Sequence, residues 1–412
     1  MWQIDTILTL FFGAMAVAIV GTLIVLWKKG NLGIDKPDKR RKHHSAPISR
    51  FGGLPIFIAL SVGYVALSLR QPEFARQWMP IILCNVIIFA VGFIDDLRPL
   101  GARIKLLGQV GAALILYAQG ISIDGLSNPF GPGYFSLGWL SLPLTVLWLV
   151  AIPNIINLID GMDGLATGFG MFLCVTLAFV GHYAAMPDVA LMATVMAGAL
   201  AGFLIFNFPP ARIFLGDGGA YMIGFFIASA SLRSSHKGTV VASLLVMLIA
   251  LGVPILDTLF AIVRRALRGL PIFRADAEHI HHRLILLGFS KAKALVALYS
   301  ICLVLSITGI SIFWSRGLSL PISGAVVCLL GLALARYLGY VKRWRDVRQQ
   351  LWGFGAPERN VVLVDLRQSN GVGGRALSQC RRVWLTVKTG SPTHRSANPR
   401  NNQSYFRRSK PV

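Results

Sequence analysis

Asn154-Ile155-Ile156-Asn157-Leu158-Ile159-Asp160-Gly161-Met162-Asp163-Gly164-Leu165-Ala166 sets two amides and two carboxylates three residues apart between two apolar runs, 137–153 and 165–180. In a helix, residues three apart advance by about 300°, so Asn154, Asn157, Asp160 and Asp163 would share one flank. Carboxylates at the mouth of apolar helices are costly to bury unpaired, so a positive partner is expected. Gly161 and Gly164 leave room for a backbone or a ligand to come close. A metal ion, a nucleotide or a sugar-phosphate would each fit; an interfacial turn facing water is the plainer alternative.

The rest of the chain sets this stretch in a membrane. Its 412 residues are 55% hydrophobic and only 14% charged, with a mean hydropathy of +0.64. Soluble domains carry roughly 25% charged residues, so a polytopic membrane protein is expected. The net charge of +23 gathers in membrane-flanking loops and the C-terminal tail, which favours anionic lipid headgroups over nucleic acid. Cys84, Cys174, Cys302 and Cys328 lie in apolar runs and Cys380 in the tail, a spacing that gives neither a disulfide framework nor a zinc cluster. The N-terminus lacks the basic start and small-residue cleavage site of a secretory signal.

Eleven apolar runs approach spanning length: 4–27, 51–69, 79–94, 104–119, 137–153, 165–182, 189–206, 219–232, 239–260, 294–314 and 318–338. The eighth is the weakest of them. The loop Lys28–Arg50 carries eight Lys or Arg, which makes it cytoplasmic and leaves Met1 outside. Alternation then gives the cytoplasmic loops and their flanks nineteen basic residues and the outer loops five: Arg70, Arg76, Arg233, Lys237 and Arg316. The outer loop Gly120–Ser136 reads as a turn-rich cap. Ten of the fourteen acidic residues before residue 340 also fall on the cytoplasmic side, among them Asp95, Asp96, Asp160, Asp163, Asp217, Asp257, Asp276 and Glu278. Acidic residues contribute little to orientation; a shared site on the cytoplasmic face accounts for the excess.

The motifs on that face suggest the chemistry. Phe51-Gly52-Gly53-Leu54-Pro55 suits a tight helix entry. Gly92-Phe93-Ile94-Asp95-Asp96 puts paired carboxylates at a helix C-terminus, against the macrodipole, so a cation is expected there. Lys105 opens the next helix, placed either to snorkel or to hold a lipid phosphate. Phe214-Leu215-Gly216-Asp217-Gly218-Gly219 forms a glycine-flanked loop before a helix, suited to phosphate or metal, and Phe214 could stack on a base. Asp257 ends the ninth run, where pairing with Arg264 or Arg265 is the simple reading. His279, His281, His282 and Arg283 lack the i, i+4 spacing of zinc helices and suit an anionic substrate better.

Together FGGLPI, GFIDD, NIINLIDGMDGLA, FLGDGG, PILDT and ADAEHIHHRL resemble the polyprenyl-phosphate N-acetylhexosamine-1-phosphate transferases of glycosyltransferase family 4, over about residues 1–340. The resemblance implies an all-α membrane enzyme of the bacterial cytoplasmic (inner) membrane. Such an enzyme moves a sugar-1-phosphate from a UDP-N-acetylhexosamine to undecaprenyl phosphate and releases UMP, with Mg²⁺, or Mn²⁺ in its place. It further implies Asp217, with Asp96, as metal ligand, and Asp95 as the base or orienting group for the lipid phosphate. Lys105 would hold that phosphate. Asn157, Asp160 and Asp163 would stand on the nucleotide and metal side, Phe214 against uracil, and His279, His281, His282 and Arg283 on the sugar diphosphate. The ADxxHIHHRL form resembles the branch using UDP-N-acetylglucosamine; the peptidoglycan translocase branch has a shorter consecutive histidine run after a proline. Membrane lipids are partners on this reading, a homodimer is admitted, and nucleic acid has no part. Direct attack by the lipid phosphate is favoured over a phospho-aspartate intermediate.

Residues 340–412 carry fifteen Lys or Arg against three acids and read as a basic, largely disordered membrane-surface tail beyond a membrane domain of 1–339. A lipid or sugar transporter is the alternative from another class. It would place polar residues near helix midpoints, whereas here the acids sit at one interface.

Overall fold

The computed structural model describes residues 4–28, 34–35, 48–127, 134–233, 246–267, 280–315 and 319–337. The chain is mostly helical. Four helices open it: α1 (Ile4–Trp27), α2 (Gly53–Arg70), α3 (Pro72–Leu97) and α4 (Ala102–Ala118). Next come α5 (Ser141–Ile159), preceded by a 3-10 turn at Gly138–Leu140, then α6 (Leu165–Tyr183), α7 (Pro187–Asn207) and α8 (Gly216–Arg233). After a helical stretch at 246–250 follow α9 (Gly252–Leu267), α10 (Ile280–Leu286), α11 (Lys291–Trp314) and α12 (Leu320–Tyr337). Two short antiparallel pairs complete the set: β1 (Ile34–Asp35) with β2 (Ile48–Ser49), and β3 (Gly125–Ser127) with β4 (Tyr134–Ser136). The second pair is the form taken by the turn-rich loop 120–136. Its neighbour Asp124 is fixed by Ser122 and Ser141, whose hydroxyls donate to it at 2.6 and 3.1 Å.

Among the described residues, seven helical segments are long and apolar enough to cross a membrane, which makes the chain a polytopic membrane protein. Inside the bundle, hydroxyls meet the demand of a low-dielectric setting by bonding to the carbonyl one turn back. Thr22 donates to Ala18, Thr194 to Ala190 and Ser229 to Phe225.

Helix α8 is the axis of the fold. It touches α2, α3, α5, α6 and α7, and every residue from Gly218 to Leu232 is buried. The weak apolar signal of 219–232 has its reason here: a helix surrounded by protein can carry Gly, Ser and Ala where a lipid-facing one needs larger apolar groups. Four motif glycines let α8 sit close to its neighbours. A Cβ on Gly53 would lie 2.5 Å from Gly219 N, and one on Gly92 would lie 2.6 Å from Gly218 Cα. The expected tight helix entry at FGGLP is thus a backbone contact between α2 and α8.

Helix ends differ from the apolar runs in two places that matter. Helix α3 starts seven residues before the run 79–94 and ends three after it, so Asp95 and Asp96 are helical. Helix α5 runs through Pro153 to Ile159 and stops there, with Gly164 at φ +77° starting α6. The four polar residues of the opening stretch therefore do not share a flank. Asn154 and Asn157 ride on α5, Asp160 caps its end, and Asp163 sits in the turn beyond.

Candidate active site

The acidic end of the bundle is assembled from the ends of α3, α4, α5 and α8. Gly216 begins α8 with φ +77°, a conformation that suits glycine and that turns the chain sharply into the helix. A Cβ there would also strike the Arg50 carbonyl and the Asp96 carboxylate. Asp96 accepts the Asp217 and Gly218 amides, one on each oxygen, both at 3.0 Å. A carboxylate on the first turn of a helix takes up its unpaired N–H groups and opposes the dipole favourably. The negative end that α3 presents is thus met by the positive end of α8.

Asp217 is aimed into the cluster by this cap. Its Oδ1 accepts from Asn157 Nδ2 at 3.1 Å and its Oδ2 from Lys105 Nζ at 3.0 Å. The same ammonium donates to Asp95 Oδ2 at 3.0 Å, and Asp95 Oδ1 takes the Leu100 amide at 2.6 Å. Lys105 also stands 5.7 Å from the centre of the Tyr221 ring. Asp95, Lys105, Asn157 and Asp217, up to 122 positions apart in sequence, therefore meet around one ammonium group.

Asp160 feels this cluster without a bond to it among the described contacts. Its recessed position and the negative charges of Asp217, Asp96 and Asp163 push its carboxyl well above the usual carboxylate range, while the Arg50 cation works against them. Asp163 lies further out, accepting the Ala211 amide at 3.4 Å and pairing with Lys291 at 3.7 Å.

Two residues that the sequence reading passed over hold the loops. Asn207, the last residue of α7, is buried; its Oδ1 accepts from Gly164 N at 3.1 Å and Thr167 Oγ1 at 2.7 Å, and its Nδ2 donates to Ile213 O at 2.9 Å. Tyr299 donates its hydroxyl to Gly164 O at 2.6 Å. The Asn207 amide thus ties the 160–164 turn to the 208–215 loop, and the Tyr299 phenol ties it to α11. Phe214 is half-buried on that loop; its N–H donates to Ser49 O and its carbonyl accepts the Gly52 amide.

The histidine region is only partly described. His279 lies outside the described residues, and so do Asp276 and Glu278; the backbones of His281 and His282, with Arg283, form α10. Asp257, on α9, is buried and accepts the Ile280 amide at 3.0 Å, which makes it a cap for α10. Residues 340–412 also lie outside the description.

Fold and site together define a polytopic membrane protein with an acid–lysine cluster at one end of its bundle. Residues 78–235, which contain most of that cluster, match the model of glycosyl transferase family 4. The probable undecaprenyl-phosphate N-acetylglucosaminyl 1-phosphate transferase of Bacillus subtilis (strain 168) is 38% identical over 277 residues, covering 67% of this chain and 76% of that protein. The decaprenyl-phosphate N-acetylglucosaminephosphotransferase of Mycobacterium tuberculosis (strain ATCC 25618 / H37Rv) is 33% identical over 296 residues, 65% of this chain and 73% of the relative. A phospho-N-acetylmuramoyl-pentapeptide-transferase of Shouchella clausii (strain KSM-K16) is 29% identical over 327 residues, 76% of this chain and 98% of the relative. The chain belongs to glycosyl transferase family 4, the polyprenyl-phosphate N-acetylhexosamine-1-phosphate transferase superfamily.

Proposed function

We propose that this protein transfers N-acetylglucosamine-1-phosphate from a UDP-sugar to undecaprenyl phosphate at the cytoplasmic face of the bacterial inner membrane, initiating an envelope polysaccharide. The observation that carries the reading is the meeting of Asp95, Lys105, Asn157 and Asp217 at one end of the bundle. Eleven spans with Met1 outside, as the basic loops require, put that end in the cytoplasm.

An oxygen of the acceptor phosphate attacks the phosphorus bonded to the sugar. One P–O bond forms, the bond to the bridging oxygen of the diphosphate breaks, and UMP leaves with that electron pair. Two anions must be brought together, so positive charge and alignment matter more than a special nucleophile. Lys105 supplies charge at the acceptor. Asp95, beside it, orients the acceptor phosphate and takes its proton when it enters as the monoanion. The donor set is carboxylate oxygen and amide, which suits Mg²⁺ or Mn²⁺ better than zinc. Among the described residues no three His, Cys, Asp or Glu are gathered at one point. Mg²⁺ needs only one or two carboxylates and takes the rest from phosphate and water, so Asp217 and Asp160 fit it. Bound there, it would neutralise charge developing on the diphosphate. Asp96 has both oxygens committed to amides, and its part is to aim Asp217. Phe214, Asp163 and the His279–Arg283 segment are assigned to the uridine and sugar-diphosphate ends.

The relative from Shouchella clausii, matched over nearly its full length, favours a second reading in which the donor carries phospho-N-acetylmuramoyl-pentapeptide. The test is a transfer assay with purified protein, undecaprenyl phosphate, Mg²⁺ and a panel of UDP-N-acetylhexosamines, read by mass spectrometry. UMP and lipid-diphosphate N-acetylglucosamine are the expected products; product from the muramoyl-pentapeptide donor alone selects the second reading.

A further inference from the structure

We infer that Lys105 is a placeholder cation: it occupies the Asp217 carboxylate oxygen that a divalent ion needs, and loading of that ion transfers its ammonium to the anionic headgroup of the acceptor. The inference rests on the proposed reaction and adds a coupling between its two binding sites.

The geometry makes the competition direct. Lys105 Nζ lies 3.0 Å from Asp95 Oδ2 and 3.0 Å from Asp217 Oδ2, with side-chain exposures of 20%, 15% and 28%. The other Asp217 oxygen is taken by Asn157. A divalent ion ligated by Asp217 Oδ2 and an ammonium bonded to that same oxygen exclude each other by charge and by contact. The base of the lysine does not move with its head. Helix α4 starts at Ala102, its first turn is bonded back to Gly101, and the preceding Leu100 amide is held by Asp95. The flexible four-carbon stem is the part that can swing. Released from Asp217, the ammonium keeps Asp95 and the Tyr221 ring as neighbours, and its remaining N–H donors are open to a phosphate oxygen.

The thermodynamic consequence is reciprocal: whatever factor the ion adds to phosphate binding, the phosphate adds to ion binding. A lysine that only held phosphate would be as accessible with the ion as without it. A placeholder lysine is uncovered by the ion and covered again by the phosphate.

The test uses the full chain in detergent. Mn²⁺ binding is followed by electron paramagnetic resonance for the wild type, Lys105→Gln and Asp217→Asn. Modification of Lys105 by an amine-reactive reagent is followed by mass spectrometry with and without Mg²⁺ and a short-chain polyprenyl phosphate. The inference expects Mg²⁺ to speed Lys105 modification about fivefold or more, within the usual range of such couplings, and polyprenyl phosphate to reverse the gain. It expects Lys105→Gln to bind Mn²⁺ more tightly than the wild type, and Asp217→Asn to lose the Mg²⁺ effect. Mn²⁺ binding to the wild type with no change in Lys105 modification overturns the inference and leaves the reaction standing. No Mn²⁺ binding to any of the three proteins overturns the cation reading and the inference with it.

Discussion

Helices α3 and α8 share two polar clusters, one at each end of their antiparallel pair, and the two are built on opposite plans. At the end away from the acids, Arg233 Nε donates to Asp188 Oδ2 at 2.6 Å, Trp78 Nε1 donates to the same oxygen at 3.1 Å, and Arg233 donates to Gln77 Oε1 at 2.6 Å. One cation meets one anion, and neutral groups complete the shell. At the acidic end Lys105 meets Asp95 and Asp217 together, with Asp96 and Asp160 close by. Balanced charge fastens helices; surplus charge of one sign stays available to a ligand.

The sharpest way to break this contrast is to neutralise one charged side chain at each end. Asp217→Asn should lower turnover by about 10³-fold, the scale of losing one charge-stabilising group, with the far-UV circular dichroism of the folded protein retained. Arg233→Met should do the reverse. It strands Asp188 and should cost roughly 2–4 kcal/mol, somewhat less than a fully buried pair because both side chains keep some exposure. Thermal unfolding in detergent should show this loss, while turnover per folded molecule stays unchanged.

A steric pair refines the comparison. A Cβ at Gly92 would meet Gly218 Cα at 2.6 Å, and one at Gly181 would meet Ala190 N at 2.8 Å. Gly92→Ala and Gly181→Ala should each cost about 1–3 kcal/mol by overpacking. Only Gly92→Ala should also reduce turnover, by roughly tenfold or more, because Gly218 adjoins Asp217 and a small misplacement of a catalytic group is expensive.

The pH response should likewise belong to one end. Asp160 has a raised pKa in the folded chain, so between its unfolded value and that raised value the folded state holds the extra proton. Metal-free protein should therefore lose thermal stability as pH rises through the raised value, and Asp160→Asn should remove that slope. Smallest of all is the surface: Arg76 pairs with Glu73 at 3.4 Å with both side chains well exposed, and Arg76→Ala should shift stability by less than about 0.5 kcal/mol.

Much of the acidic end could be read from the chain because motif and apolar run adjoin. Asp95, Asp96 and Asp217 mark helix ends that hydropathy locates to within a few residues, and the glycines beside them announce close packing. The flank expected for Asn154 to Asp163 failed because periodicity is silent on where a helix stops, and the turn at 160–164 is held by Asn207 and Tyr299 from far along the chain. The opposite cluster left no local sign. Trp78, Asp188 and Arg233 each look like ordinary interfacial residues, and Arg233 and Asp188 are 45 positions apart. Lys105 was visible as a phosphate-holding candidate, but its double ion pair depends on how α4 returns to α3 and α8.

Helix α8 is walled in by protein from Gly218 to Leu232, whereas α1 turns Phe12, Val20 and Trp27 outward. Bilayers that are too thin or too thick act on the helices they wet, which tilt or bend to match. No lipid chain grips α8, so the height at which Asp217 stands is set by its neighbours, and the outer helices absorb the mismatch. For the proposed reaction, the depth of the acidic end would then follow the packing of the bundle rather than the thickness of the bilayer.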